Sequence, residues 1–420
     1  MSRNVNPSGK NQYNPVLKFD DEKLVAALRS YHREQLTSNT KISARLLSDH
    51  GIQMSDSTVK RRRKRLGLTG SGVTTTALGQ DIAEQLVLEQ MDQDPAKRHG
   101  VRTIQAKIAF NKEIHLKRDF VSAVMHEHDS DGFAGRDPTC KKIRRDPKFP
   151  IGIHERWAGD GHDKLYKIGY PLWAVVDDAT GKWLGAWIVP SNRMGEIVAY
   201  LFLCLVEKFG GMPLQFTTDC GSETTKLFGL ANALRNIFHP EYDLEELPAH
   251  VYLRSVHNIS IERQWLRLRL DWGDNVVMFF NKGVEDGVYN AQIPQQYELC
   301  QWLWPMLLRT ELQKFVDFRN GARVRLDKTK PGPSGMSRNE AFSLPENWGG
   351  RDCLLPVDTE VIRAIKEHMG GDALLEFTSA EFSARAQEVY DSLKIVNLSL
   401  ENVWGVFTAM YPLLYGAEAL

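Results

Sequence analysis

No apolar run in this chain reaches the length of a membrane-spanning helix; the nearest candidate, "EIVAYLFLCLVEKF", is too short and bounded by charge. Cysteine is scarce as well. Cys140, Cys204, Cys220, Cys300 and Cys353 lie far apart with no CxxC pair. That spacing argues against a cysteine-built zinc cluster and fits a reducing compartment. The stretch "MSRNVNPSGKNQYNP" has no apolar block of the secretory kind, so residues 1–18 read as a loose polar tail. A surplus of one charge is also missing, since 53 Lys and Arg balance 53 Asp and Glu.

That balance conceals an asymmetry. Residues 1–150 hold 27 Lys and Arg against 18 Asp and Glu, whereas the remainder holds 26 against 35. A basic front joined to an acidic remainder points to a front end that meets a polyanion. With 42% hydrophobic and 25% charged residues over 420 positions, the chain has the composition of two or three folded domains.

The basic front reads as helices. "DDEKLVAALRSYHRE" places Leu24, Val25, Leu28 and Tyr31 at helical spacing, and "KISARLLSDHG" repeats the pattern with Gly51 at its end. "MSDSTVKRRRKRLGL" then starts at a cap, Ser55 or Asp56, and runs into Lys60, Arg61, Arg62, Arg63, Lys64 and Arg65. Three short helices ending on a basic one predict a helix-turn-helix unit over residues 19–70, its third helix entering a major groove. A nuclear-localisation run or a solvated face is the bland alternative. A second unit of the same plan is expected over 71–134. Residues 135–150, "GRDPTCKKIRRDPKFP", read as a basic linker in which Lys141, Lys142, Arg144 and Arg145 track a DNA backbone. Two units in series lengthen the site on double-stranded DNA and add phosphate contacts.

From residue 151 the pattern changes to three strands, helix, strand, helix, strand, helix, expected to span residues 151–330. The fold class expected is α/β: a mixed five-stranded sheet flanked by helices, the order of the ribonuclease H fold, preceded by all-α units and followed by a helical C-terminal region. In that layout the first strand, "IGIHERWAGDGHDKL", ends at Asp160 beside the end of the fourth, "MPLQFTTDCGSE", which stops at Asp219. The helix "ISIERQWLRLRLDWGDNVVMFF" carries Glu262 in its first turn and passes over both. Asp160, Asp219 and Glu262 therefore converge as candidate catalytic and metal-holding residues. Like charges that close repel and push one pKa up, a cost that two magnesium ions remove. Each acid also has an ordinary reading, as a turn residue or a charge favoured by a helix N-terminus. Asp163, Glu223, His257 and Asn258 are expected to neighbour the site, with Asn258 as a helix cap. Asp177 and Asp178 occupy a hairpin turn and stay outside it.

At "WAGDGHDKL", "AVVDDATG", "TTDCGSE" and "HNISIERQW" the chain resembles the integrase core-domain proteins, retroviral-integrase-like DDE recombinases, and especially a eukaryotic branch related to mobile elements. The resemblance covers about residues 150–330. It implies a DDE triad on Asp160, Asp219 and Glu262, a requirement for Mg²⁺ or Mn²⁺ (two ions), and cutting and joining of DNA. It departs from the retroviral pattern in the wide interval from Asp219 to Glu262 and in the helix-turn-helix units that replace a zinc module. A nuclear location is implied for a eukaryotic host and an intracellular one otherwise. The expected partners are double-stranded DNA and further copies of the chain, with no membrane. The competing readings are a DNA-binding protein that keeps the core as an inactive scaffold, and a nuclease acting on RNA–DNA hybrids. Beyond the core, residues 331–355 are expected to form a loop and 356–420 a small helical module.

Overall fold

Each of the first three helices starts with a side chain that accepts a backbone N–H left unpaired by the first turn. The computed structural model describes residues 21–95, 97–128, 149–163, 165–253, 259–329 and 331–416. In it Asp21 caps α1 (Glu22–Arg33), Ser38 caps α2 (Asn39–His50), and Ser55 rather than Asp56 caps α3 (Asp56–Arg65). Leu24, Leu28, Tyr31, Ile42, Leu46 and Val59 meet in a core of their own. After the short α4 (Ser71–Leu78), a second three-helix unit forms from α5 (Gln80–Asp92), α6 (Val101–Lys112) and α7 (Arg118–His128). It closes around Ala83, Val87, Ile104, Ile108, Val121 and Val124. The two units touch. Glu113 pairs with Arg29 and Arg33, and the His32 and His115 rings stack with centroids 3.8 Å apart.

The central sheet has five strands, β1 (Arg156–His162), β2 (Leu172–Asp177), β3 (Trp183–Ile188), β4 (Gln215–Asp219) and β5 (His250–Leu253). Their spatial order is β3-β2-β1-β4-β5. β2 runs antiparallel to β1 and β3, while β1, β4 and β5 run parallel. Side chains alternate across a strand, so β2 divides its apolar residues. Leu172, Ala174 and Val176 join one core, and Trp173 and Val175 join the other. On the second face lie α8 (Gly195–Phe209) and α9 (Thr225–Phe238), through Val198, Phe202, Leu227 and Leu234.

The first face is covered by the helix carrying Glu262, and this helix is not continuous. α10 (Ile259–Leu268) passes through one wide π turn, Arg269–Gly273, into α11 (Asp274–Glu285). A π turn releases a carbonyl from its usual partner. Here the Asp271 carbonyl accepts from His99 Nε2 at 2.8 Å and Lys107 Nζ at 3.4 Å, which fastens the second unit to this helix. The long α12 (Pro294–Gly321) then packs along β3.

The C-terminal expectations need correcting. Residues 331–355 are not a simple loop. They contain α13 (Arg338–Ser343), and Arg351–Asp352 pair with Gly152–Ile153 as a parallel strand. Nor is 356–420 a separate module. Ile362 of α14 (Thr359–His368) enters the core on the α8 face. Phe382 of α15 (Ala380–Ser392) and Phe407 and Met410 of α16 (Val403–Tyr415) enter the opposite one. Their helical periodicity showed an apolar face without showing what that face would meet. The first unit also docks here: Lys41 pairs with Glu340, Ser48 Oγ donates to the Ser343 carbonyl at 2.7 Å, and Asn339 Nδ2 donates to Glu34 Oε1 at 2.9 Å. The 1–18 tail and most of the basic linker lie outside the described residues.

An edge strand needs its free backbone groups covered. Asn320 of α12 does so for β3, accepting from Trp183 N at 2.9 Å and donating to Trp183 O at 2.9 Å, both buried. Asn320→Ala is expected to leave two buried backbone groups unpaired and to cost about 2–4 kcal/mol. Urea denaturation measures this; a loss near zero would show that the edge is solvated.

Candidate carboxylate site

Strand β1 brings the first acid to the site by alternation. Ala158, Asp160 and His162 share the face turned to α10, whereas Trp157 and Gly159 face α8. Glycine is required at 159, because a Cβ there would lie 2.8 Å from the Phe216 ring. Asp160 is not the last residue of its strand, as the sequence suggested; pairing with β2 continues to His162 opposite Leu172. The parallel register sets Ala158 opposite Thr217. Carried on by two residues, that register puts Asp160 level with Asp219, the last residue of β4, and on the same face.

The electrostatics follow. Asp160 is half-buried, and its pKa is pushed up to about 7, first by burial and then by the charge of Asp219, with Glu262 adding to it. The Trp265 indole opposes the rise, donating from Nε1 to Asp160 Oδ2 at 2.8 Å. Trp265 stacks on His162 with centroids 4.5 Å apart and planes 6° from parallel, and meets Trp183 edge-on at 5.5 Å. α10 is sharply two-sided: Ile261, Gln264, Trp265 and Leu268 are buried, while Glu262, Arg263, Leu266 and Arg267 are exposed. Glu262 therefore stands on the exposed margin of its helix, where its charge is felt at Asp160. Among the described residues, no group of three or more His, Cys, Asp or Glu side chains stands close enough to form a ready-made metal cage. What the structure brings together is a mutually repelling set with one acid partly desolvated.

The other expected residues fall in several places. Asp163 is exposed and accepts from Asn192 Nδ2 at 2.9 Å, with Arg193 at 3.5 Å. Glu223 folds its carboxylate back over Gly221. His257 and Asn258, and Lys141, Lys142, Arg144 and Arg145, lie outside the described residues. On α3, Lys60, Arg61, Lys64 and Arg65 are exposed and Arg62 is half-buried. Arg63 departs from the DNA-contact expectation. It turns inward and donates from Nη1 to Thr37 O and Asn39 Oδ1, each at 2.9 Å, holding the α2 entry loop. Asp177 does cap its hairpin turn as expected, accepting from His154 N and Thr180 N at 2.9 Å and Thr180 Oγ1 at 2.6 Å.

Two residues that shape the site, Trp265 and His162, went unremarked in the sequence as site residues. Spacing could have found both: Trp265 follows Glu262 by three on a helix, and His162 follows Asp160 by two on a strand. The chain matches no family model and no curated protein sequence.

A carboxyl whose pKa is raised on folding holds more protons in the native state than in the unfolded one. Its penalty is absent below about pH 4, grows as pH rises and is complete above about pH 7. With divalent ions chelated, wild-type stability is expected to fall across that window, and Asp160→Asn to be more stable than wild type at pH 8 by about 2 kcal/mol. Thermal unfolding at pH 5 and pH 8 measures this; a variant less stable at both would refute the repulsion.

Proposed function

We propose that this protein is a DNA-binding polynucleotidyl transferase of the DDE integrase type, cleaving and transferring DNA strands with divalent metal. The observation that carries the reading is the crowding of Asp160 by Asp219 and Glu262, three acids remote in the chain. The largest charged influences on Asp160 are these two carboxylates, and both are repulsive. A cation is the physical remedy for such a set, and oxygen-only ligands suit magnesium or manganese. The fold part of the reading draws support from the strand order β3-β2-β1-β4-β5, with the antiparallel hairpin strands first and the parallel ones after. That is the arrangement a ribonuclease H-like core requires, although a fold alone assigns no chemistry.

Asp160, Asp219 and Glu262 are the residues that would hold two ions. Such ions, when bound, supply Lewis-acid stabilisation of charge at phosphorus and ease deprotonation of an attacking oxygen. The chain's own residues do the rest. Trp265 fixes the Asp160 carboxylate by its N–H bond to Oδ2. The stack of Trp265 on His162 holds the indole in place beside Asp160. Lys60, Arg61 and Lys64 offer the exposed charge of α3 to a phosphate backbone. Arg263 and Arg267 are exposed on the helix that carries Glu262 and offer further positive charge there.

Plasmid nicking or oligonucleotide joining in Mg²⁺ or Mn²⁺ tests the reading. Asp219→Asn is expected to lower the rate at least ~100-fold. Equal background from wild type and variant would overturn the catalytic claim, and gel shifts that persist in EDTA without any nicking would leave the scaffold reading standing.

The arm makes a separate prediction. Lys60→Ala, Arg61→Ala and Lys64→Ala are each expected to weaken DNA binding across sequences and to lower the salt slope by about 1. Arg63→Ala is expected instead to destabilise the first unit by about 1–2 kcal/mol. Fluorescence anisotropy at several salt concentrations, beside thermal unfolding, separates the two effects.

A further inference from the structure

Away from the carboxylates, a cavity of about 590 Å³ opens between α1, the edge strand β3, α8 and α12. Its walls carry Lys182, which precedes β3, and Lys208, near the end of α8. The Lys182 ammonium lies 4.3 Å from the centre of the Phe342 ring, and among the described residues no acceptor is recorded for it. Lys208 Nζ donates to the Leu184 carbonyl at 2.9 Å, leaving two N–H groups. Each amine is held below its usual pKa, Lys182 at about 8. Burial is the first cause for both, and the charges of Arg45 and Lys208 add to it for Lys182.

Carboxylates stand near the pair and offset part of the shift, Glu34 and Asp49 acting on Lys182 and Asp317 on Lys208, without reaching ion-pair distance of either amine among the described residues. Glu34 is committed to Arg45 on one oxygen and to Asn339 on the other. Asp317 accepts from Gln313 at 2.8 Å, and no ion pair within 4 Å joins it to either lysine among the described residues. Two partly desolvated amines line one cavity and repel each other, as Asp219 and Asp160 do. The remedy is of opposite sign.

We propose that this cavity binds a small phosphate-bearing anion through Lys182 and Lys208. Ammonium groups bind phosphate as point charges, and the volume falls in the range of small-ligand sites. The walls come from α1 of the first helical unit (Ser30 and Arg33) and from the sheet edge, so an occupant ties the DNA-reading end to the core. This site does not depend on the carboxylate reading. Free phosphate and the phosphate of a nucleotide share the chemistry, and the walls also hold Phe110 and Trp187, against which a base can lie.

The test is thermal unfolding and calorimetric titration of the full chain with inorganic phosphate, pyrophosphate and adenosine monophosphate, against potassium chloride of equal ionic strength. Binding is expected to raise Tm by about 2 °C or more at saturating ligand. Lys182→Met is expected to keep or raise Tm in plain buffer, Lys208→Met to lower it by leaving the Leu184 carbonyl without its donor, and both to lose the ligand response. Lys314→Met, outside this cavity, retains it. A response to the inorganic ions identifies free anion as the occupant; a response to the nucleotide alone identifies a nucleotide. No heat and no Tm change in wild type with any of the three would overturn the proposal. So would an undiminished response in both variants.

Discussion

The parallel pairing of β1 with β4 is the constraint on which the site depends. It forces two aspartates, 59 positions apart in the sequence, onto one level and one face of a sheet. The cost is electrostatic: burial and the second charge together lift the Asp160 pKa into the neutral range. The fold therefore carries an electrostatic cost at this place that the surrounding core must outweigh. Trp265 is the local means of doing so. It clamps one oxygen of Asp160, while its ring is gripped between His162 and Trp183.

The helix that supplies both Glu262 and Trp265 is itself held from outside the sheet. The π turn at Arg269–Gly273 exposes a carbonyl to His99 and Lys107, and Asn275 donates to Asp94 at 3.1 Å just beyond it. Arg319 approaches the Asp271 carboxylate at 3.4 Å from α12. Burial holds the Lys107 pKa down near 8 and the His99 pKa near 4, so this junction is one of desolvated polar groups that stand or fall together. A shift of the second helical unit would be felt at the acids through this one helix.

The helical front is thus a docked part of the molecule rather than a tethered reader. Glu113 of the second unit binds Arg33 of the first, and on the core Glu340 binds Lys41 while Asn339 donates to Glu34. Arg63, although it stands in a run of six basic residues, spends its guanidinium on the neighbouring loop. A charge run in a sequence does not say which members face solvent; the helix rotation set by Val59 in the core does.

Much of the architecture was legible in the residues. A short continuous apolar run marked β2, the β2–β3 turn was written in Asp177 and Asp178, and helical spacing with Ser and Gly caps delimited α2 and α3. These are local signals, set within a few residues by backbone geometry and side-chain polarity. The tertiary structure alone decided what lies far apart in the chain: the register that levels Asp160 with Asp219, the inward turn of Arg63, and the docking of Ile362 and Phe407 onto opposite faces of one sheet. The reason is that an apolar face or a carboxylate specifies only that it needs a partner. Which partner it meets is settled when the whole chain closes around its cores.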